Sequence, residues 1–263
     1  MAAGTVRAYQ QAFTLHMLPI TLIGVAISTA AFPKMTERLS QGRPDLFRKE
    51  LQAVIRVIIW LALPAAAIAF FTRGYLVHFI KNGGEAMIAN ILGILTIAIL
   101  FRSVYHIAAR SFYAQQDTRT PLYISIFTIS LNIFLAVLFT MHFDMGVYGL
   151  AWAQSLVAIV EVIILFIIMQ GRIPHLIDRP FLGAVVRMLS ATGFTSVAAY
   201  FAVNTFSLQA TDQSFLALFP KFALISLFSG LVYLLCSKLM SIEEVDPVLH
   251  KLNSIFFGQL KSK

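Results

Sequence analysis

One cysteine, Cys236, stands among 263 residues, so the chain cannot form an internal disulfide. No cluster of cysteine and histidine has metal-ligand spacing, which removes the zinc-site and redox-motif classes. There is no glycine-rich phosphate loop, dinucleotide fingerprint or nucleophile elbow. Enzymatic chemistry and a resident cofactor are therefore not expected. A coupling ion or the membrane potential remains open, since no identifiable residues carry one. Charge is scarce too: Asp, Glu, Lys and Arg make up 12% of the chain, about half of the ~25% of soluble domains.

Apolar residues fill the space that charge leaves. They make up 59% of the chain, with 23 Phe and a mean hydropathy of +0.81. A single soluble core of this size cannot hide that much apolar surface, so the fold class is all-α: a polytopic helical membrane protein. Seven apolar runs can be drawn, at about 11–32, 51–71, 86–109, 121–141, 146–169, 182–203 and 218–237, each near the ~20 residues that cross a bilayer. None shows the alternation of barrel strands, and backbone groups in lipid must be satisfied within the segment, which leaves helices.

The net charge of +8 could suggest nucleic acid, but its distribution says otherwise. Fifteen of the 20 Lys and Arg follow spans one, three, five and seven, against four (Arg7, Arg73, Lys81, Lys221) on the other side. The positive-inside rule puts the C-terminus in the cytoplasm, with anionic lipid as partner of the basic loops and no role for nucleic acid. Seven spans then place the N-terminus outside, yet residues 1–7 have no signal-peptide architecture. The expectation is the C-terminal part of a longer protein.

Gly42 followed by Pro44 reads as a helix stop and restart. Residues 45–58 place Leu46, Leu51, Val54, Ile55 and Ile58 on one face, an amphipathic entry to span two whose charges lie among headgroups. Pro19 and Pro64 should kink spans one and two. Residues 75–80 are apolar but too short to cross, and Asn82-Gly-Gly84 reads as a turn. Small residues (Gly24, Ser28 and Ala30 in span one; Gly183, Ala184, Ala191, Gly193 and Ala199 in span six) favour close helix packing. The tail 241–263 reads as a basic cytoplasmic helix.

Polar residues inside the spans are the binding candidates, since an intramembrane charge is costly and faces a cavity or a partner. Arg102, His106 and Arg110 fall at i, i+4, i+8 on span three. Arg110, near the end, can snorkel to the surface; Arg102 lies two turns deeper. Glu161, mid-way along span five, is the one acid deep in any span, and Arg102 is its natural partner if the helices adjoin. Such a pair is either structural or a switch that opens when substrate arrives. Gln154 extends the track. Gln10, Gln11, Thr14 and His16 in span one and Asn132 in span four are interhelical hydrogen-bonders or substrate contacts.

Between spans three and four lies Arg110-Ser-Phe-Tyr-Ala-Gln-Gln-Asp-Thr-Arg-Thr-Pro121, which reads as an interface turn, with Phe112 and Tyr113 at headgroup depth and Pro121 opening the next helix. Arg110, Phe112, Tyr113, Asp117, Thr118, Thr120 and Pro121 form a pattern that resembles the matching turn of the MurJ/MviN flippase family. Leu18-Pro-Ile-Thr-Leu-Ile-Gly-Val-Ala-Ile-Ser-Thr-Ala-Ala-Phe-Pro33 and Leu61-Ala-Leu-Pro-Ala-Ala66 are similar to two further segments, in the same order.

The resemblance implies the second lobe of a two-lobe flippase plus two C-terminal helices. Residues 1–175 would be a partial second lobe, with an amphipathic loop at 34–58. Residues 176–240 would be two helices forming a groove for a prenyl tail, and 241–263 a tail. It implies a lipid-linked oligosaccharide substrate, lipid II, crossing the bacterial inner membrane by alternating access, with the first lobe expected in the full-length protein. The family's arginine five residues before the first of these prolines is absent: Phe13 and Thr14 stand where an Asp-Arg pair is usual, and Met17 replaces an acid. Asn132 matches one ligand of a sodium site found in some members, but Ala136 stands where an acid is needed. Two other readings stay open: a related polysaccharide-unit flippase or antiporter, and a membrane scaffold for wall synthesis that has lost the cavity arginine.

The charge asymmetry predicts that Gln41 and Ser262 face the cytoplasm. Cysteines introduced there should resist an impermeant reagent in intact cells; labelling at either site reverses the topology.

Overall fold

The computed structural model describes residues 3–80, 85–208 and 215–249. Seven helices are long and apolar enough to cross a membrane: Gly4–Ser40, Pro44–Phe71, Ala86–Ala114, Arg119–His142, Val147–Arg172, Arg179–Thr205 and Phe215–Leu239. They are called spans one to seven. Each apolar run of the sequence falls on one of them, the fifth starting one residue before its helix, and no strand occurs among the described residues. The loops after spans one, three, five and seven share one end of the bundle, the basic side.

Span three is the axis. Over half of its most apolar window is buried (56%), against 11% in span four and 17% in span seven. It packs on spans one, two and five, while span four leans on span five and span seven on span six. The large apolar side chains of spans four, six and seven that point outward, such as Phe127, Phe134, Phe201 and Leu231, form the surface that lipid requires.

Span one is not a uniform helix. Ala3–Pro19 is followed by a π-helical stretch, Ile20–Val25, before Ala26–Ser40 resumes the α-helix. Pro19 has no N–H to donate to the preceding turn, so the chain rewinds at the point where the regular ladder is broken. Gly24 lies in this stretch, pressed against span three: a Cβ there would stand 2.6 Å from the Ser103 Cα. Span two, in contrast, runs unbroken through Pro64.

Gly42, with φ +68°, makes the stop that the sequence predicts, and Pro44 opens the next helix. The amphipathic stretch is no separate piece. It is the first part of a 28-residue helix, about 42 Å long at 1.5 Å per residue, so it projects beyond a ~30 Å hydrocarbon core. Phe47, Leu51, Ile55 and Ile58 are its buried face, while Leu46 and Val54 are only half-buried. Two charges of this stretch are tied to protein, while Asp45 and Lys49 stand exposed. Glu50 pairs with Lys34 at 2.8 Å, and Arg56 holds both Glu243 (3.0 Å) and Glu244 (2.5 Å).

That last contact explains the tail. Ser241, at φ +52°, turns the chain back, and Ile242 and Val245 pack on Trp60, Met188 and Tyr233. The described part of the tail is thus a docked 3-10 turn, Glu243–Val245, that runs into helical residues 246–249; the rest of the expected tail helix lies outside the described residues. Residues 75–80 fall within a short helix, Arg73–Ile80, pinned by a hydrogen bond from the Tyr75 hydroxyl to the Phe206 carbonyl. The expected turn at Asn82–Gly84 lies outside the described residues. In span six, Ala184, Ala191 and Ala199 are buried, with Phe181, Met188 and Thr195, whereas Gly183 and Gly193 meet open space, so the alanines and not the glycines lie on the packed face.

Gly24→Ala should lower the thermal stability of the purified chain in detergent by about 1–3 kcal/mol, because backbone atoms of span three stand in the way. Gly183→Ala should leave it unchanged or raise it. Equal behaviour of the two variants would show that spans one and three do not approach so closely.

Candidate functional site

Span four touches span three only lightly, and the gap between them, floored by span five, is a cavity of about 310 Å³. Its polar wall has three sources: Arg102 and Tyr105 from span three, Ser125, Thr128 and Asn132 from span four, and Gln154 and Glu161 from span five. Arg102 Nη1 donates to Glu161 Oε2 at 2.7 Å. The Thr128 hydroxyl donates to the other carboxylate oxygen at 3.1 Å, and Asn132 Nδ2 donates to Gln154 Oε1 at 3.2 Å. The Glu161 side chain is 4% exposed and that of Arg102 is 24% exposed. The guanidinium therefore keeps a face toward the cavity while one edge holds the acid. Chemically this is an ion pair with spare donor capacity on the cationic partner.

The rest of the span-three stripe does not join it. Arg110 Nη2 donates to the Thr29 hydroxyl of span one at 2.8 Å, and its guanidinium lies 5.9 Å from the Phe32 ring. His106 is half-buried between the two arginines, with its ring edge-on to Tyr105. Span one is set apart from the cavity. Gln10 and Thr14 are exposed and Gln11 is half-buried; the Thr14 hydroxyl donates to its own helix at the Gln10 carbonyl, so it makes no interhelical bond. His16 is buried, with Nδ1 2.6 Å from the Phe13 carbonyl.

The 110–121 turn is built as a clamp. Asp117 accepts from the N–H groups of Arg119 and Thr120 (3.0 Å each) and from the Thr120 hydroxyl (2.5 Å), capping the start of span four. Arg172, at the end of span five, donates to Asp117 at 2.6 Å and to Thr120 at 2.9 Å. The Thr120 hydroxyl, its backbone N–H and then Arg172 hold the Asp117 carboxyl well below the usual carboxylate range. Phe112 departs from expectation. It is fully buried beneath the Arg172 guanidinium, 5.1 Å from ring to cation, because the helix turns it inward; Tyr113 takes the exposed position at 42%. Thr118 is exposed and Pro121 is buried in the first turn of the helix.

Five participants, Tyr105, Ser125, Thr128, Thr29 and Arg172, were not foreseen from the sequence. Thr128 had a signal, since Ser125, Thr128 and Asn132 fall at i, i+3, i+7 on one face of span four. Thr29 and Arg172 had none, being 81 and 55 residues from their partners. A second cavity, about 390 Å³ and wholly apolar, lies between spans two, three, five and six, with Leu63, Phe101, Phe166 and Leu189 among its walls.

A family model described as lipid II flippase MurJ matches residues 1–220. A probable lipid II flippase MurJ of Thermotoga maritima is 25% identical over 259 residues, covering 94% of this chain and 48% of its own length. One of Borreliella burgdorferi is 25% identical over 175 residues, covering 64% and 34%. A solved structure, lipid II flippase MurJ in an inward closed conformation, superposes with a TM-score of 0.74 at 20% identity, covering 99% of this chain and 49% of that one. The chain spans about a third to a half of the length of these curated relatives.

Removing one partner of a buried pair strands the other, at a cost on the order of 3–5 kcal/mol. Arg102→Ala and Glu161→Ala should therefore each reduce the folded yield in membranes, and the double variant should recover part of the loss. Simple additivity in the cycle would show that the two side chains do not interact.

Proposed function

The chain belongs to the lipid II flippase MurJ family, and from this we propose that it forms the second lobe of a two-lobe flippase that carries a lipid-linked peptidoglycan precursor across the bacterial inner membrane. The observation that carries the reading is a cationic side chain inside the bundle, Arg102, lining a cavity with a quarter of its surface free. An anionic pyrophosphate in a membrane needs such a group, and a cavity of this size sits at the lower end of ligand-site volumes. Arg102 is the first charge partner. Arg110, at the basic end, and His106 between them mark a path along span three. Glu161 holds Arg102 when no substrate is present and yields it when substrate arrives.

The prenyl tail has a separate place. The apolar cavity between spans two, three, five and six supports a lipid-facing groove, built with span six but without span seven, rather than by the last two spans together. The basic loops face the cytoplasm, where anionic lipid complements them. Transport follows from the two lobes rocking about the substrate site, and no covalent step is involved.

A specific feature keeps the scaffold reading in view. On span one, Thr14 stands where the resemblance leads one to expect an arginine, and its hydroxyl is spent on its own backbone.

In proteoliposomes this chain alone should not flip lipid II, since a single lobe encloses half of a path. Fused to the part of the Thermotoga maritima relative that it does not match, it should flip lipid II and support growth of flippase-depleted cells. Transport by the lone chain would overturn the two-lobe proposal. A folded fusion that neither flips nor complements would favour the scaffold.

A further inference from the structure

Resting on the flippase reading, we propose that Glu161 is a proton-binding site coupled to anion binding at Arg102: the carboxylate takes up one proton from solvent when an oxyanion of the phosphate class occupies the cavity. Arg102 and Glu161, 2.7 Å apart, make a neutral pair inside the membrane-spanning bundle. An oxyanion that approaches the free face of Arg102 must share that guanidinium with a carboxylate already bound to it. Two anions crowded on one cation in a poorly hydrated place cannot both stay ionised at low cost; one of them takes a proton.

The structure identifies the group that does so and the atom that receives the proton. Glu161 Oε1 is occupied by the Thr128 hydroxyl; Oε2 is the oxygen that Arg102 releases, so the proton goes there. Thr128 keeps its bond in both states and holds the carboxyl in place. The way in is the cavity itself, whose Ser125, Asn132 and Gln154 side chains suit a short line of water. Span three brings Arg102 and Tyr105 toward Glu161, span four brings hydroxyls and an amide but no titratable group, and span five contributes Gln154. From span one, Tyr9 and His16 lie within electrostatic range of Arg102. Among these groups Glu161 is the one acid in contact with the guanidinium.

Coupling of this kind is reciprocal. The anion favours the proton and the proton favours the anion by the same factor. A carrier built in this way moves its anionic headgroup together with a proton and so carries one negative charge fewer across the bilayer.

The test uses the purified chain in detergent with sulfate, a tetrahedral dianion that carries no titratable proton near neutral pH, and then inorganic pyrophosphate. Calorimetry measures binding, and an indicator dye in weak buffer counts protons. The wild type should take up about one proton per sulfate bound. Glu161→Gln, which imitates the protonated carboxyl, should bind about tenfold more tightly, within the range typical of coupled sites, and should take up none. Arg102→Gln should lose binding. The wild-type proton count needs no variant, so it stands even if a substitution misfolds.

Sulfate bound without proton uptake, or with equal affinity in wild type and Glu161→Gln, overturns the coupling while leaving Arg102 as the charge partner and the flippase reading intact. Absence of binding in both proteins removes the coupling and the role of Arg102 together, and the fusion experiment then decides the flippase reading separately.

Discussion

A single ion pair inside an apolar bundle sets the faces of three helices. Once Arg102 and Glu161 are joined at 2.7 Å, span three must turn Arg102 toward span five, and span five must turn Glu161 toward span three. Span four can then approach only with the side that carries Thr128. An unpaired charge at that depth is so costly that few rotations of these helices remain. The apolar surface follows from the same choice. With the polar face of span four committed inward, aromatic and branched residues of its other face are left for lipid, and Ile126, Phe127 and Phe134 stand well exposed.

The seven helices were legible because hydrophobic length is a local quantity. Gly42 and Pro44 were legible for the same reason. So was the Arg102–Glu161 pair, since a lone acid deep in a bilayer has few possible partners. The inward turn of Phe112 was not: nothing near it in sequence says that Arg172 will lie above it, and the pair came together only when spans three and five were packed. The docking of the tail was hidden for a related reason: Glu243 and Glu244 find Arg56, nearly 190 residues earlier, a partner that only the tertiary fold supplies. The π-helical stretch was half visible. Pro19 announced an irregularity, but a kink and a wider turn look alike from the sequence.

The turn between spans three and four is the part of the chain most like a signature, and its role here is mechanical. Asp117 caps one helix while Thr120 and Arg172 bind that cap to the end of another. It lies just beyond the membrane-spanning helices, where fraying would otherwise begin, and fixes the end of the cavity that Arg102 lines. The cavity residues, spread singly over three helices, leave a much fainter trace.

The π-helical stretch of span one has a consequence for descent. A regular helix advances about 100° per residue, so one added residue ordinarily swings every later side chain to a different azimuth. A wide turn absorbs that residue, and the helix on either side keeps its own bearings. In Ile20–Val25 the first half of span one, with Gln10 and Thr14, is decoupled from the second half, where Thr29 meets Arg110. The two halves are free to drift at different rates, and an alignment drawn straight through the stretch can slip by one position without any gap to announce it.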